Sequence, residues 1–310
     1  MTMQMAITTI IGCKNMCLYC PQKKIISAYK DKERMMSFDT YKKCLDKMPK
    51  DMILSFGGMS EAFLNPDCIK MIEYTSQKGF KIRIFSTSVG MTKDIIHRLE
   101  KIPISSFVFH LPDNINNTKI KVDEVFLENL KLIKESKISN IHYQIFGKLH
   151  PKVKKVLNME IEDQSRMLEA RAGNLEEGRQ RYLKGKIICS TAGKKLNRNS
   201  LLPNGDVFIC CQDWGLEHKF GNLLKNSYED LFKSKEFYNV QSKMNSEFGD
   251  VLCRRCEYAR VINSKKYKFG QFARYIGLVD FLYSFKKIPI VKKIYVWWMN
   301  KTRNKKRFNS

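Results

Sequence analysis

Three cysteines near the start of the chain have the spacing of a metal site. Cys13, Cys17 and Cys20 form a C-x3-C-x2-C pattern directly after an apolar run. Thiolates are soft ligands that suit iron–sulfur clusters, zinc and copper(I). A structural zinc site is normally closed by four ligands, whereas a catalytic metal site keeps one position open. Three thiolates therefore predict an open metal centre.

A simpler interpretation places the same cysteines in a protein core. Residues i, i+4 and i+7 share one face of a helix, and a free cysteine is a common core residue. Gly12 before the motif and Pro21 after it favour a loop instead. We therefore prefer the metal-site interpretation.

A second group of cysteines lies in the later part of the chain. An Asn204-Gly205 turn between apolar stretches predicts a β-hairpin, which would bring Cys189 and Cys210 together. The C-x2-C pair Cys253 and Cys256 raises the number of thiolates to four, which closes a [4Fe-4S] cluster or a structural zinc site. Scattered core cysteines are the simpler alternative.

Apolar runs of strand length alternate with segments of helical spacing in the first half of the chain. The predicted strands are 7–11, 52–56, 81–85, 106–109 and 141–146, and the predicted helices are 39–48, 67–78, 92–101 and 123–136. Alternation of this kind predicts right-handed βαβ units and a mostly parallel α/β sheet. Sites gather at the carboxyl ends of such strands, where the Cys13 loop begins. Five or six units indicate a partial barrel.

Polar and glycine residues follow the second and third predicted strands. Gly57 and Gly58 let the backbone approach a ligand closely, or simply form a tight turn. Ser86 and Thr87 can hydrogen-bond a polar ligand, or cap the next helix. We therefore expect these residues to face the same end of the sheet as the cysteine loop.

Two further residues are weaker candidates. His110 follows the fourth predicted strand and can face the same end, although a structural histidine with satisfied hydrogen bonds is the more common case. Arg171 lies in a loop-rich connection and is able to bind an anion, although solvated or salt-bridged arginines are more common. Neither residue is among the predicted site residues.

The first motif resembles the signature of the radical S-adenosylmethionine (SAM) superfamily, C-x3-C-x-aromatic-C after a first strand, with Tyr19 at the aromatic position. The resemblance implies a partial (β/α)6-type barrel. It also implies that Cys13, Cys17 and Cys20 bind a [4Fe-4S] cluster, whose fourth iron is chelated by the amino and carboxylate groups of SAM. Tyr19 would lie near the adenine.

The glycine pair resembles the Gly-Gly-Glu loop of the same superfamily, which contacts the SAM amino group. Gly57, Gly58 and Glu61 would take this role, although Met59 and Ser60 separate Gly58 from Glu61. By analogy of position, Ser86 or Thr87 would also contact SAM.

The second cysteine group resembles the auxiliary-cluster extension of radical SAM enzymes, in its short twitch form rather than the seven-cysteine SPASM form. The pattern C-x15-G-x4-C fits Cys189, Gly205 and Cys210. The resemblance thus implies an auxiliary [4Fe-4S] cluster bound by Cys189, Cys210, Cys253 and Cys256. It selects Cys210 rather than Cys211, and leaves Cys44, Cys68 and Cys211 as packing residues.

These observations predict four regions. They are a radical SAM partial barrel at 1–150, a connection at 151–186, a twitch/SPASM-like domain at 187–257 and a basic, aromatic extension at 258–310. The extension has fourteen Lys or Arg residues and one acidic residue. It suits an anionic membrane surface or docking on the core, and we rank nucleic acid behind both.

The composition is that of an ordinary globular protein, with 310 residues, 43% apolar content and a net charge of +25. The excess charge raises the possibility of anionic partners without identifying one. Neither a signal peptide nor an uncharged apolar run of about 18 residues is present. Ten cysteines at metal-like spacings favour the reducing cytoplasm. A peripheral position at the inner membrane face is the alternative that the C-terminal extension suggests.

The resemblance implies reductive cleavage of SAM to a 5′-deoxyadenosyl radical, which abstracts hydrogen from a substrate. The reductant would be a protein such as flavodoxin or ferredoxin. We expect oxidation of a small-molecule or carbohydrate-like substrate, because the chain begins at the first strand without a domain for leader-peptide capture. The alternatives are a ribosomal-peptide-modifying maturase and a non-catalytic two-cluster electron-transfer protein. The latter needs neither an open cysteine site nor Gly57-Gly58.

Overall fold

A mixed sheet runs through the part of the chain that the computed structural model describes, residues 2–30, 32–165, 170–175 and 181–262. The strands are β1 (Gln4–Ile7), β2 (Ile53–Phe56), β3 (Lys81–Ser86), β4 (Ile104–His110), β5 (Ile141–Gln144), β6 (Ile187–Cys189), β7 (Arg198–Leu201), β8 (Asp206–Phe208), β9 (Lys219–Asn222) and β10 (Ala259–Val261). All but β6 and β10 belong to one sheet, in the order β5-β4-β3-β2-β1-β7-β8-β9.

Strand β1 joins the two halves of the chain. It pairs in parallel with β2 on one side and with β7 on the other, so that Ala6 is in register with both Ser55 and Ser200. The pairs from β2 to β5 are also parallel. Strands β7, β8 and β9 are antiparallel, which confirms the hairpin predicted at Asn204-Gly205.

Helices follow the strands of the first half, as predicted. The helices are α1 (Gln22–Ala28), α2 (Phe38–Leu45), α3 (Cys68–Gln77), α4 (Lys93–Leu99), α5 (Glu124–Glu135), α6 (Pro151–Leu157) and α7 (Lys235–Asn245). Side chains cap several amino ends: Ser37 accepts from the Thr40 amide, Thr92 from Ile95, and Asp123 from Phe126. None of the helices in the described ranges is long and apolar enough to cross a membrane.

The two faces of the sheet differ in polarity. One face carries fully buried apolar side chains, namely Met5, Ile7, Leu54, Phe56, Ile82, Ile84, Phe107 and Phe109. Helix α3 packs on β3, and each of the helices from α2 to α6 packs on the next. The other face carries polar side chains such as Gln4, whose Nε2 donates to Ser55 Oγ at 2.7 Å.

Two local predictions were wrong. The first strand ends at Ile7, in register with Phe56, because the chain turns at Gly57 and leaves no partner for a longer strand. Thr8 to Ile11 therefore belong to the loop that follows. Helix α6 was missed, although Pro151 at its first turn is a helix-start signal.

The predicted roles of the C-terminal extension concern residues that are almost all outside the described part of the chain. The residues up to Ala259 form one compact unit, and the second unit is 260–310. Only its first residues, up to 262, are described.

The position of β1 predicts that the first half of the chain does not fold alone. A fragment of residues 1–165 exposes the edge of β1 that pairs with β7, and unpaired edges promote aggregation. We expect this fragment to lack a cooperative thermal transition in circular dichroism, whereas residues 1–262 retain one. A cooperative transition of the short fragment within a few degrees of the longer one would contradict the prediction.

Candidate functional site

The predicted cysteine motif forms an irregular loop between β1 and α1. Cys13, Cys17 and Cys20 are partly buried and close enough to influence one another electrostatically. Burial raises the pKa of Cys17 to about 12, and the other two thiols add to the rise. The loop leaves the carboxyl end of β1, as predicted, and brings the three thiols together.

Gln22, at the start of α1, holds both ends of this loop. The Cys13 amide donates to Gln22 Oε1 at 3.2 Å, and Gln22 Nε2 donates to Cys20 Sγ at 3.3 Å and to the Met59 carbonyl at 2.7 Å. Only 2% of Gln22 is exposed. Rotating the amide by 180° would oppose like groups at Cys13 and Met59, so its orientation is determined. The sequence analysis missed Gln22, whose only signal is its place two residues after Cys20.

A chain of hydrogen bonds ties the loop to the ends of β2 and β3. Asn15 Nδ2 donates to Thr87 Oγ1 at 2.8 Å, and Thr87 Oγ1 donates to Glu61 Oε2 at 2.6 Å. The Thr87 amide and Ser86 Oγ also donate to Glu61, at 2.7 and 2.8 Å. The structure thus brings together Glu61 and Ser86, two of the predicted SAM contacts.

Glu61 is engaged within the protein on all sides. Its side chain is 4% exposed, and the Phe63 amide is a fourth donor at 3.5 Å. Burial raises the pKa of Glu61, and the hydrogen bonds from Thr87 and Ser86 oppose that rise. An ionised carboxylate accepts about four hydrogen bonds. A ligand amine would therefore have to displace one of these donors.

The paired glycines are required by packing. Gly57 has φ 125°, and a Cβ there would lie 2.5 Å from the Phe85 carbonyl oxygen. A Cβ at Gly58 would overlap Thr8 Oγ1 and lie 3.2 Å from the Ile7 carbonyl oxygen. The turn after β2 therefore fits between β1 and β3 only without side chains.

The loop after β4 supports the opposite side of the cysteine loop. Leu18 N donates to the Asn117 carbonyl at 2.9 Å, and Lys119 N donates to the Asn15 carbonyl at 3.0 Å. Buried Asp113 fixes this second loop by accepting from the amides of Ile115, Asn117 and Thr118 at 2.9 to 3.0 Å. These contacts hold the cysteine loop by its backbone.

Arg171 contacts the cysteine loop at Tyr19. The Tyr19 ring packs edge-on against Phe146, with centroids 4.7 Å apart. Arg171 Nε donates to the Tyr19 carbonyl at 3.3 Å. Burial and the Arg171 charge lower the pKa of His110 to about 4, so this histidine, at the end of β4, is neutral at neutral pH.

The described segment 170–175 connects the two cysteine groups. Its residue Asn174 accepts from Lys24 Nζ at 2.7 Å and donates to the Gln212 carbonyl at 2.9 Å. Ala172 N donates to Glu257 Oε2 at 3.2 Å. Arg171 and Ala172 both have positive φ, 50° and 56°. The loop predicted from the sequence is therefore an ordered bridge.

The second cysteine group is also gathered together. The thiols of Cys210, Cys253 and Cys256 interact electrostatically, and Cys189 interacts with Cys253 and Cys256. Cys211 also lies near Cys210 and Cys256 and is exposed. The prediction that Cys211 is a packing residue was therefore wrong, whereas Cys44 and Cys68 are fully buried, as predicted.

Arg254 organises the turn that carries Cys253 and Cys256. It is fully buried, and its guanidinium donates to five carbonyl oxygens at 2.5 to 2.9 Å, those of Leu183, Gly185, Lys243, Ser246 and Gly249. These bonds use the donor capacity of the guanidinium. Arg254 thereby links the turn to the end of α7 and to the chain before β6, a role that sequence reasoning missed.

The donor sets fit an iron–sulfur cluster. Within the described ranges, no three His, Cys, Asp or Glu side chains are arranged to hold a single metal ion. A [4Fe-4S] cluster binds each cysteine through a separate iron, so its ligands need not converge on one point. Neighbouring thiols in each group are compatible with such a cluster.

Comparisons with known proteins agree with this geometry. Residues 189–257 match the SPASM family model, an iron-sulfur cluster-binding domain. The structure of BtrN in complex with AdoMet and 2-DOIA has 15% sequence identity and a TM-score of 0.59, over 86% of this chain and 96% of that chain. The chain has the radical SAM fold with a C-terminal SPASM domain. These findings confirm the predicted fold class and the predicted iron–sulfur domain.

Two other radical SAM structures show the same fold. Native anSMEcpe with bound AdoMet has 12% identity and a TM-score of 0.52, over 82% of this chain and 86% of that chain. Streptococcus suis SuiB bound to precursor peptide SuiA has 12% identity and a TM-score of 0.54, over 82% and 76%. No curated protein sequence shows significant similarity.

The contacts of Gln22 in this radical SAM fold predict a large effect of its removal. Gln22→Leu leaves the Cys13 amide and the Met59 carbonyl without their partner, and each unsatisfied buried group costs about 1–3 kcal/mol. We expect the cluster-free protein to lose about 2–4 kcal/mol of unfolding free energy, measured by urea denaturation.

Gln4→Leu is the matched control, because it removes one hydrogen bond, to Ser55, from the other end of β1. A loss for Gln22→Leu no larger than that for Gln4→Leu would show that Gln22 does not hold the loop.

Proposed function

We propose that this protein is a radical SAM enzyme that oxidises a small-molecule or carbohydrate-like substrate. The observation that carries the proposal is the three-cysteine loop at the carboxyl end of β1, held on every side within the radical SAM fold. AdoMet, which is SAM, is bound in the similar structures of BtrN and anSMEcpe. With SAM and a reduced [4Fe-4S] cluster bound, the site supplies a 5′-deoxyadenosyl radical that abstracts hydrogen from the substrate.

The residues of this chain would position these groups. Cys13, Cys17 and Cys20 would hold the [4Fe-4S] cluster to which SAM would bind. Tyr19 presents its ring beside the loop, where it can contact the adenine. Because Glu61 is saturated by Thr87 and other donors, its role in this proposal is to hold the end of β3 in place.

An apolar cluster shields the site. Its buried members are Ile11, Ile25, Tyr29, Met59, Leu202, Phe208 and Trp214, and Cys20 packs against it. Ile11 and Met59 flank the cysteine loop, whereas Leu202, Phe208 and Trp214 come from the SPASM part of the chain. Exclusion of water by such a cluster protects reactive intermediates.

The four cysteines of the second group would hold an auxiliary cluster. Cys189, Cys210, Cys253 and Cys256 would hold a second [4Fe-4S] cluster, which would supply an electron acceptor for a net oxidation of the substrate. The segment 170–175 connects the two sites and can line the space for the substrate. The likeness to BtrN, crystallised with 2-DOIA, supports a small substrate, because it spans 96% of that chain against 76% of SuiB. A flavodoxin or ferredoxin would supply the electron for SAM cleavage.

The proposal predicts SAM cleavage by the reconstituted protein. Anaerobic protein reduced with dithionite should release 5′-deoxyadenosine from SAM, and Cys17→Ala should abolish this release because the cluster loses one of three ligands. Cys44→Ala is a matched control, since Cys44 is buried outside both cysteine groups. Release by the wild type that does not exceed that of Cys17→Ala would contradict the enzyme proposal.

Iron content tests the auxiliary cluster separately. Two [4Fe-4S] clusters correspond to about eight irons per chain. We expect Cys210→Ser and Cys253→Ser to approach about four irons, with Cys211→Ser unchanged as the control. A wild-type value near four that Cys253→Ser does not change would exclude the second cluster. Loss of iron in Cys211→Ser but not in Cys210→Ser would show that Cys211, rather than Cys210, is the cluster ligand.

A further inference from the structure

The polar face of the sheet carries two arginines on strands from different halves of the chain. Arg83 of β3 is in register with Ser55, Ala6 and Ser200 across four parallel strands. Side chains alternate between faces along a strand, so Arg198, two residues before Ser200, shares this face. Arg83, Arg198 and Ser200 therefore face the same space.

Neither arginine forms an ion pair with any residue in the part of the chain that the structure describes. The Arg83 guanidinium lies over the Phe85 ring, 5.5 Å from its centroid. The two arginines are close enough for their charges to interact: burial and the charge of Arg198 both lower the pKa of Arg83. Two like charges without an acid nearby repel each other.

Hydrogen-bond donors on the same face are also without partners. Arg198 Nε and Ser200 Oγ are buried and make no hydrogen bond to any residue in the described ranges, and Ser200 is fully buried. A buried donor without a partner is destabilising, because it has lost its hydrogen bond to water and gained none in the protein. The neighbouring Gln4 and Ser55 are hydrogen-bonded to each other, so these two unsatisfied donors on the polar face both lie on β7.

A bound oxyanion would compensate both the like charges of the two arginines and the unsatisfied hydrogen-bond donors. Phosphate and carboxylate oxygens accept from guanidinium and hydroxyl groups, and their charge offsets the repulsion between two arginines. A cation would increase the repulsion. A neutral hydroxylated ligand could accept hydrogen bonds and would leave both charges uncompensated. The chemistry of this face therefore selects an anion.

The two arginines lie on the polar face at a distance from the carboxyl ends of their strands, the edge at which the cysteine loop begins. Arg83 lies three residues before Ser86, whose hydroxyl bonds to Glu61 at the end of β3. At about 3.3 Å per residue, the arginine lies roughly 10 Å along the strand from that end. Arg198 likewise lies three residues before the end of β7.

We propose that Arg83, Arg198 and Ser200 bind the anionic group, a phosphate or a carboxylate, of the substrate. The inference rests on the proposed function for the identity of the ligand, and the anion site itself does not require it. The substrate would be held by its charge on the polar face, with the rest of the molecule extending toward the cysteine loop.

The test measures anion binding by the full-length, cluster-free chain. Thermal unfolding is compared in inorganic phosphate, in acetate and in chloride at equal ionic strength. We expect phosphate or acetate to raise the wild-type melting temperature above its value in chloride. Which of the two acts more strongly distinguishes a phosphate from a carboxylate group. Equal melting temperatures in all three salts would overturn the proposal.

Substitutions of the two arginines test whether the anions bind at this site. Arg83→Gln and Arg198→Gln should each weaken the apparent anion affinity at least fivefold. In chloride each should melt no lower than the wild type, because removal of one charge relieves the repulsion. Lys81→Gln is the matched control: it removes an exposed charge from the same strand and face as Arg83, and should keep the wild-type anion effect.

The outcomes separate this inference from the proposed function. Anion binding that is unchanged in both arginine variants would overturn the anion site, whatever the protein does with SAM. An anion effect lost in Arg83→Gln and Arg198→Gln and kept in Lys81→Gln supports it. Because the measurement uses neither SAM nor a cluster, it stands even if the wild type releases no 5′-deoxyadenosine.

Discussion

The parallel pairing of β1 with both β2 and β7 is the constraint on which the site depends. Strands in parallel end at the same edge of a sheet, so the cysteine loop after β1 and the hairpin after β7 begin side by side. Asn204 N, in the hairpin, donates to the Tyr29 hydroxyl at 3.1 Å, just beyond α1. One pairing thus places the SPASM part of the chain against the first cysteine group.

The cysteine loop has little regular structure of its own, and side chains from elsewhere supply its hydrogen bonds. Gln22 holds its ends, Asn15 ties it to Thr87, and the loop after β4 supports its backbone. Buried polar groups in such a network are costly when any one of them is left unsatisfied. The loop is therefore positioned by the whole edge of the sheet, and its geometry can be disturbed from several strands.

Three arginines in the interior of this protein differ in how their charge is accommodated. Arg254 donates mainly to carbonyl oxygens, whereas Arg83 and Arg198 form no ion pair with the residues that the structure describes. The net charge of +25 acts in the same direction, because it draws anions to the protein. SAM carries a carboxylate, and the proposed substrate carries a negative group. An anionic ligand would then stabilise the fold as well as fill the site.

The sequence by itself determined the features that depend on local pattern. The period of the apolar residues predicted the parallel α/β fold, the Asn204-Gly205 turn predicted its hairpin, and the spacing of the cysteines predicted two groups of thiols. Only the tertiary structure decided which distant residues meet. Gln22 and Met59 are 37 positions apart, and Arg254 and Leu183 are 71 apart. Such contacts have no period in the sequence, because they depend on which strands and loops lie side by side in the folded chain.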